Sequence, residues 1–293
     1  MNVLAFDLGG TRLKGGVVSV EDGLVAMTAT VEIEQSFEMA LEELVYTARM
    51  ITESYECSSV GLCVPGLVNE EGVVLSLPGK LEGIEGFDLK GFLRRELSLE
   101  PFVVNDAVAY GSGEAAFGAG RDYRIVVVMT IGTGVGVTIL ENGVPLTDGV
   151  FGAGILGGQI PISEATSGPE DTSGRPDTIE AFCRADRIVD YSGTAFKTVP
   201  DVFEAFARGD LEAVKGVETY RSHLARALVA LAHAHTPEAI VIGGGPMVAG
   251  TPLLEGVEET VNSRLFGTYR VVVRPAQLGD NAALAGLARI GTR

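Results

Sequence analysis

The sequence predicts an α/β protein built from two related lobes with a cleft between them. Short apolar strands alternate with helical stretches along the chain, and one unit, a strand followed by a Gly/Thr turn and a second strand, occurs twice. The turn reads Asp7-Leu8-Gly9-Gly10-Thr11 in the first copy and Thr130-Ile131-Gly132-Thr133-Gly134 in the second. Internal repetition indicates two similar units, and the space between two lobes is a natural binding site.

The first half of the chain contains an apparent antiparallel meander followed by alternating helices and strands. Apolar residues recur every three or four positions from Phe37 to Ile51, which is typical of a helix with one buried face. The predicted strands lie at residues 3–7, 15–20, 24–33, 60–64 and 102–105, and the predicted helices at 37–54, 90–97 and 107–117.

The second half begins a new strand pattern at residue 125. Residues 150–180 are rich in Gly, Ser, Pro and Asp and are predicted to form loops. The predicted strands are 125–131, 135–140, 239–242 and 270–274, and the predicted helices include 211–235 and 281–290. We place one lobe at residues 1–113 plus 280–293 and the other at residues 114–279.

Composition excludes several classes of protein. The net charge is −17 and no basic patch is visible, so we expect no nucleic-acid partner. No apolar run reaches the roughly 18 residues of a membrane span, so we expect no membrane partner. The three cysteines form no CxxC pair and the N-terminus lacks a signal-peptide pattern. These features predict a cytoplasmic protein with reduced thiols.

The two glycine turns are candidates for phosphate binding. Glycines let backbone N–H groups approach an anion closely, and Thr11 adds a hydroxyl donor. Asp7 could hold a magnesium ion through water, since that ion keeps several waters. Each turn alone could be a simple hairpin, but two of them facing each other could hold the phosphates of one nucleotide. A third strand ends at Gly243-Gly244-Gly245, where the flat face of an adenosine could approach.

A possible general base lies at Asn105-Asp106, where a strand ends and a helix begins. A carboxylate there could take a proton from an attacking hydroxyl, although Asn and Asp are also common helix caps.

Residues 152–157 match GxGxxG formally, but no strand precedes them and we reject a dinucleotide fold. The three histidines lie on one long helix and are predicted to be core or surface residues. They are His223, His233 and His235.

Taken together, these motifs resemble the ROK family of sugar kinases, within the actin–hexokinase superfamily. The resemblance covers nearly the whole chain and keeps the motif order. It implies the two-lobed actin-like ATPase fold, a duplicated ribonuclease H-like fold. The matching segments are residues 7–16, Val64-Pro65-Gly66, Glu70-Glu71-Gly72, Val104-Asn105-Asp106-Ala107, 130–136, 240–245 and Gly279-Asp280-Asn281-Ala282-Ala283.

The resemblance also implies a function and a role for each site residue. The expected enzyme phosphorylates a hydroxyl of a sugar or polyol with ATP and magnesium, and homodimers are expected. Asp106 would be the general base and Asp7 would orient magnesium through water. The expected substrate contacts are Gly66, Asn105, Asp106, Gln159 and Glu180. The expected nucleotide contacts are Gly9, Gly10, Thr11, Lys14, Gly132, Thr133, Gly134, Gly244 and Gly245.

The chain departs from the family pattern around the acceptor. Gln159 stands where a His is expected and Leu156 where a Glu is expected, in an alignment that can shift by one position. The family's zinc motif CxCGxxGCxE reads here as residues 171–180, from Asp171 to Glu180, without a cysteine, so we expect no structural zinc. Pro78-Gly79-Lys80 replaces the Asn of a substrate loop. We therefore expect an acceptor other than ordinary glucose, namely an amino or N-acyl sugar, a rare hexose or a cyclitol.

Three alternatives remain at this stage. A sugar-sensing repressor of the same family would carry a helix-turn-helix before the first glycine turn, and we expect none because that turn begins at residue 7. A kinase-like binding protein without catalysis is disfavoured by intact Asp7 and Asp106. A polyphosphate-dependent, glucokinase-like enzyme is disfavoured by the acidic balance of the chain.

Overall fold

The computed structural model describes residues 1–33, 36–77, 81–148, 151–152, 155–247 and 252–292. Its first half contains seven strands and three helices among those residues. In chain order they are β1 (Asn2–Leu8), β2 (Arg12–Ser19), β3 (Val25–Glu32), α1 (Phe37–Thr52), β4 (Ser59–Val64), β5 (Leu67–Val68), β6 (Val74–Ser76), α2 (Leu89–Leu97), β7 (Glu100–Asn105) and α3 (Asp106–Ala116).

The second half contains the longest helix and a second set of strands. In chain order the elements are β8 (Ile125–Ile131), β9 (Val135–Glu141), β10 (Val144–Pro145), β11 (Thr147–Asp148), β12 (Phe151–Gly152), α4 (Ile179–Cys183), α5 (Asp186–Tyr191), α6 (Val199–Ala207), α7 (Leu211–His235), β13 (Ala239–Gly244), α8 (Val257–Asn262), β14 (Val272–Pro275) and α9 (Ala282–Ile290).

The two main sheets have the same topology. The first sheet has the order β3-β2-β1-β4-β7 and the second the order β10-β9-β8-β13-β14. In each sheet the first three strands of the unit form an antiparallel meander, and two further strands pair in parallel beside the first. The structure therefore confirms the repeated unit that the sequence predicted.

β1 is buried on both faces, which explains its uninterrupted run of apolar residues. Its side chains alternate between two clusters. Leu4 and Phe6 pack with Leu44 of α1, whereas Val3 and Ala5 pack with Leu284 of α9. The strand is thus covered by one helix on each side.

α3 and α9 pack against each other between the two sheets. α9 contacts β1, β2 and β4 of the first sheet, while α3 contacts β8 and β9 of the second as well as β7. The pair therefore connects the two halves of the fold. The sequence-based lobe boundaries, at 113/114 and 279/280, stay a prediction.

Three short helices, α4 to α6, occupy a stretch to which the sequence analysis assigned no helix.

No helix in the described part of the chain is long and apolar enough to cross a membrane. The substrate-loop residues Pro78-Gly79-Lys80, and residues 153–154 of the GxGxxG-like stretch, lie outside the described residues.

Candidate active site

The first glycine turn follows directly from β1 and leads into β2. The N–H of Gly9 donates to the carbonyl of Arg12 (2.8 Å), which closes the turn. Asp7 stands just before it, with its carboxylate held by the Cys63 thiol (3.3 Å). Burial raises the pKa of Asp7 above its ordinary value, and the thiol and the charges of Lys14 and Arg12 offset this only in part.

Lys14 joins the first glycine turn to the segment before α9. It pairs with Asp7 across the β1–β2 ladder, and its ammonium group donates to the carbonyl of Asp280 (2.8 Å) and to Asn281 Oδ1 (2.9 Å). The predicted nucleotide-binding lysine is therefore also the tie between the turn and residues 280–281.

Asp7 and Asp106 lie at the same edge of the first sheet. β1, β4 and β7 run parallel and side by side, with Asp7 opposite Cys63 and Val64 opposite Asn105. Neighbouring strands are about 4.8 Å apart, so the chain at Asp7 and the chain at Asn105 are on the order of 10 Å apart. Both carboxylates raise the pKa of the buried Cys63 thiol between them, after burial itself, the largest cause. Carboxyl ends of parallel strands are common ligand sites.

Asn105 is both a helix cap and a tie to the preceding loop. Its Oδ1 accepts hydrogen bonds from the N–H of Ala107 (2.8 Å) and of Val108 (3.3 Å). Its Nδ2 donates to the carbonyl of Gly66 (2.8 Å). Gly66 has a φ of +91°, and a Cβ there would lie 2.5 Å from the carbonyl oxygen of Ser76. The structure thus brings Gly66, Asn105 and Asp106 together, as the sequence predicted.

The second glycine turn is fixed on three sides. Its own closure is a hydrogen bond from the N–H of Gly132 to the carbonyl of Gly134 (2.9 Å). The carbonyl of Gly132 accepts from the N–H of Ala185 (3.0 Å), and the N–H of Val135 donates to Glu180 (2.9 Å). Glu180 is buried, and its oxygens accept bonds from the chain itself. Its predicted contact with the acceptor stays a prediction.

The end of β13 meets the end of β8 beside the second turn. Gly244 is paired with Ile131 and has a φ of +97°, and a Cβ there would clash with the Ile131 carbonyl. A Cβ at Gly245, in contrast, would meet no atom within 4 Å. Backbone at Gly245 therefore faces open space in which a flat ring could lie.

Tyr110 of α3 is a site residue that the sequence analysis missed. Its hydroxyl is hydrogen-bonded by the backbone of Gly244, and burial, together with the nearby Glu114 carboxylate, raises its pKa to about 12. A Cβ at Gly243 would lie 2.7 Å from the tyrosine ring. Tyr110 therefore holds the Gly243–Gly245 turn in place as a neutral phenol.

A cleft of about 420 Å³ joins these elements, a volume suited to a small-molecule ligand. It brings together the first glycine turn, Asp7, Lys14 and the Gly244–Gly245 turn. Its lining residues are Asp7, Gly9, Gly10, Thr11, Arg12, Lys14, Thr30, Tyr110, Gly244, Gly245, Gly279, Asp280 and Ala283. The second glycine turn adjoins this cleft through Ile131 but does not line it.

The acceptor side is less complete among the described residues. Gln159 is half-buried in a short 3₁₀ turn with Gly157 and Gly158, and Leu156 just before it is exposed. Neither residue lines the cleft at Asp7. Their predicted role in acceptor choice stays a prediction.

Glu114 of α3 is the second residue that the sequence analysis missed. It is fully buried and accepts hydrogen bonds from three backbone N–H groups, those of Ala119 (3.0 Å), Gln277 (3.0 Å) and Leu278 (2.7 Å). It thereby fixes the loop that carries Gly279 and Asp280 into the cleft. No local signal in the sequence marks its contact with the loop, because Gln277 and Leu278 lie more than 160 positions away.

The residues around Asp7 suit a magnesium ion held through water. Asp7 offers carboxylate oxygens to the cleft beside the first glycine turn. No group of three or more His, Cys, Asp and Glu side chains in the described part of the chain is arranged to hold a metal directly. A single carboxylate with retained waters fits magnesium, which rarely uses an all-protein cage.

Comparisons with known proteins identify the family of this chain. The glucokinase of Thermotoga maritima is 28% identical over 313 residues, covering 99% of this chain and 97% of that protein. The beta-glucoside kinase of Listeria innocua is 26% identical over 289 residues, covering 98% of this chain and 96% of that protein. A ROK family glucokinase from Streptomyces griseus, solved with glucose and AMPPNP, matches with a TM-score of 0.84 at 24% identity and covers 99% of both chains, which confirms the actin-like fold. The family model described as ROK matches residues 3–293, and the chain therefore belongs to the ROK family.

Proposed function

We propose that this ROK protein transfers the terminal phosphoryl group of ATP to a hydroxyl group of a sugar or sugar-like polyol, with Asp106 as general base. That the chain is a carbohydrate kinase rests on its family and its near full-length likeness to sugar kinases. The observation that carries the finer proposal is the cleft joining the first glycine turn, Asp7 and Gly245. Asp106 directly follows β7, which is separated from β1 by β4 alone, so it lies at the same end of the parallel strands as Asp7.

The two glycine turns would hold the phosphates by their backbone N–H groups. Gly10 and Thr11 line the cleft, and the second turn directly follows Ile131, which is paired with Gly244. Asp7 would hold a magnesium ion through water, and that ion, when bound, neutralises charge on the phosphates. Phosphoryl transfer depends mainly on such positioning and charge stabilisation. AMPPNP, an ATP analogue, is bound in the matching glucokinase structure.

Asp106 would accept the proton of the acceptor hydroxyl as its oxygen attacks the terminal phosphorus. The residue opens α3, where the helix dipole favours negative charge. Asn105 presents its amide beside it and is fixed by Gly66, so one further amide hydrogen can contact the acceptor. The products are the sugar phosphate and ADP, with the proton on Asp106 before its release to solvent.

We further propose that the acceptor is an amino or N-acyl sugar, a rare hexose or a cyclitol. Support comes from Gln159 and Leu156, which replace the polar pair that the family pattern predicts. A site built to hydrogen-bond one set of hydroxyls rejects a poorly matching acceptor strongly, because buried polar groups of the site are then left unpaired. A panel of acceptors tests this: plain glucose as the best substrate by a wide margin would refute it.

The test of the activity is turnover with magnesium ATP across that panel. Asp106→Asn should abolish transfer while ATP still binds, and Asp122→Asn, an exposed carboxylate away from the cleft, should behave like wild type. Polyphosphate in place of ATP tests the alternative donor. Binding of ATP and sugar without turnover in any combination would favour a binding protein.

A further inference from the structure

We propose that Asp171 is a positioning residue for the nucleotide, acting through Thr178 and Glu180 on the second glycine turn. The inference rests on the proposed function, since it assigns this turn to phosphate binding. Segment 171–180 contains two buried carboxylates that interlock, with Asp171 5% and Glu180 4% exposed. A buried carboxylate without hydrogen-bond partners costs free energy. The groups that bond to these two carboxylates therefore show which parts of the chain they hold in place.

Asp171 reaches forward along the segment. Its Oδ1 accepts from the N–H (2.8 Å) and the hydroxyl (2.7 Å) of Ser173 and from the N–H of Arg175 (2.9 Å). Its Oδ2 accepts from the hydroxyl of Thr178 (2.9 Å). One carboxylate therefore closes the loop from residue 171 to residue 178.

Thr178 transmits this contact to α4. Its hydroxyl donates to Asp171 and accepts from the N–H of Ala181 (3.2 Å), so it is the N-cap of the helix. The side chain is completely buried. Glu180 is the second residue of that helix, and the position of its carboxylate follows from where the helix begins.

Glu180 accepts hydrogen bonds from its own segment and from the second glycine turn. Its Oε1 accepts from the N–H (2.8 Å) and the hydroxyl (2.6 Å) of Thr172. Its Oε2 accepts from the N–H of Val135 (2.9 Å), and a Cβ at Gly134 would lie 2.9 Å from the same oxygen. A continuous series of contacts thus runs from Asp171 to the second glycine turn.

Every partner of the Asp171 carboxylate is a donor, so it must stay ionised to accept all four bonds. Burial by itself would raise its pKa, but the bonds from Arg175, Ser173 and Thr178 outweigh burial and hold the pKa below the ordinary value. The carboxylate is consequently charged at neutral pH.

This arrangement replaces a metal centre. Asp171, Ser173 and Thr178 stand at the three cysteine positions of the family's zinc motif, and in this chain the hydroxyls of Ser173 and Thr178 both donate to Asp171. Asp, Ser and Thr oxygens are a poor set for zinc, which prefers thiolate and imidazole ligands. The hydrogen-bonded cluster therefore holds segment 171–180 in place without a metal ion.

The test measures the turn directly. Hydrogen exchange of the Val135 amide reports the Glu180 bond, and calorimetric titration with magnesium AMPPNP reports nucleotide affinity. Asp171→Ala should weaken nucleotide binding about tenfold and speed exchange at Val135 about tenfold. Asp171→Asn, which keeps one acceptor oxygen, should fall between Ala and wild type.

Two controls separate positioning from general destabilisation. Asp177→Asn alters another carboxylate of the same loop, one that accepts a hydrogen bond from the exposed Arg175 side chain, and should leave both readouts unchanged. Thr178→Ser keeps the hydroxyl and should match wild type, whereas Thr178→Val should resemble Asp171→Ala. In the double variant, Asp171→Ala should change nucleotide affinity and Val135 exchange little beyond the effect of Glu180→Gln, because both residues act on the same turn.

Three results would overturn the inference: unchanged Val135 exchange in Asp171→Ala, equal damage from Thr178→Ser and Thr178→Val, or faster Val135 exchange after removal of zinc by a chelator. Exchange at Val135 needs no turnover. A protein that binds AMPPNP but transfers no phosphoryl group would contradict the proposed function and still allow this test.

Discussion

Gly286 in α9 lies directly against the backbone carbonyl of Ala109 in α3, with no room for a side chain between the two helices. Gly113 of α3 has the same relation to the carbonyl of Ala282. Because α9 packs on the first sheet and α3 on the second, these contacts set how closely the two halves of the fold approach.

Gly286→Ala should destabilise the protein by about 1–3 kcal/mol, because a methyl group has to push the two helices apart. Urea denaturation followed by circular dichroism measures the change. Glu42→Ala alters an exposed residue of α1 and should stay within about 0.5 kcal/mol of wild type. A fully stable Gly286→Ala variant would show that the helix contact is looser than described.

Tyr110→Phe should raise KM for ATP about fivefold, the equivalent of one lost hydrogen bond of about 1 kcal/mol to the Gly244 backbone. The acceptor KM should not change, because the tyrosine lies at the nucleotide end of the cleft. Steady-state kinetics with each substrate varied in turn makes the comparison. Tyr46→Phe, at an exposed tyrosine of α1, provides the control.

Glu114→Gln should cost about 1–3 kcal/mol of stability, because the new amide places a donor against the backbone donors of Gln277 and Leu278. It should also weaken ATP binding, since the loop before Asp280 loses its anchor. Thermal unfolding and titration with AMPPNP check the two effects. Glu204→Gln, at an exposed carboxylate, should change neither.

Acid should remove the contribution of Asp171 to stability. Its pKa is lower in the folded protein than the ordinary 3.8, so its stabilising effect is complete above that value and is lost as the pH falls through the folded pKa. The stability gap between wild type and Asp171→Asn should be constant from pH 7 to about 5 and shrink below about 3.8. A gap independent of pH down to pH 3 would contradict the ionised carboxylate.

Much of the fold could be predicted because its signals are local. Both strand–turn–strand units were visible from apolar runs that end at Gly9 and Gly132, and the long helix 211–235 matches α7 residue for residue. The period of the apolar residues and the glycines that follow them depend on neighbours in sequence.

Short helices were missed because loop-like composition hid them. Helix α6 did carry a signal, since Thr198 and Asp201 form a capping box and Pro200 stands in the first turn. α4 and α5 have five and six residues and are held by tertiary contacts, such as that of Thr178 with Asp171. Such contacts leave no periodic pattern.

The site was predicted where residues act through their own turn, and missed where they act across the chain. Asp7, Lys14 and Gly245 meet in one cleft as expected. Tyr110 and Glu114 could not be found, because their partners Gly244 and Gln277 become neighbours only after α3 has packed between the sheets.

The most direct measurement is phosphoryl transfer from magnesium ATP by wild type and Asp106→Asn. We predict that one polyol of the panel is phosphorylated, that chelation of magnesium stops the reaction reversibly, and that Asp106→Asn loses about 10²–10⁴-fold in kcat with unchanged AMPPNP affinity. Transfer by Asp106→Asn at the wild-type rate would contradict the proposed base.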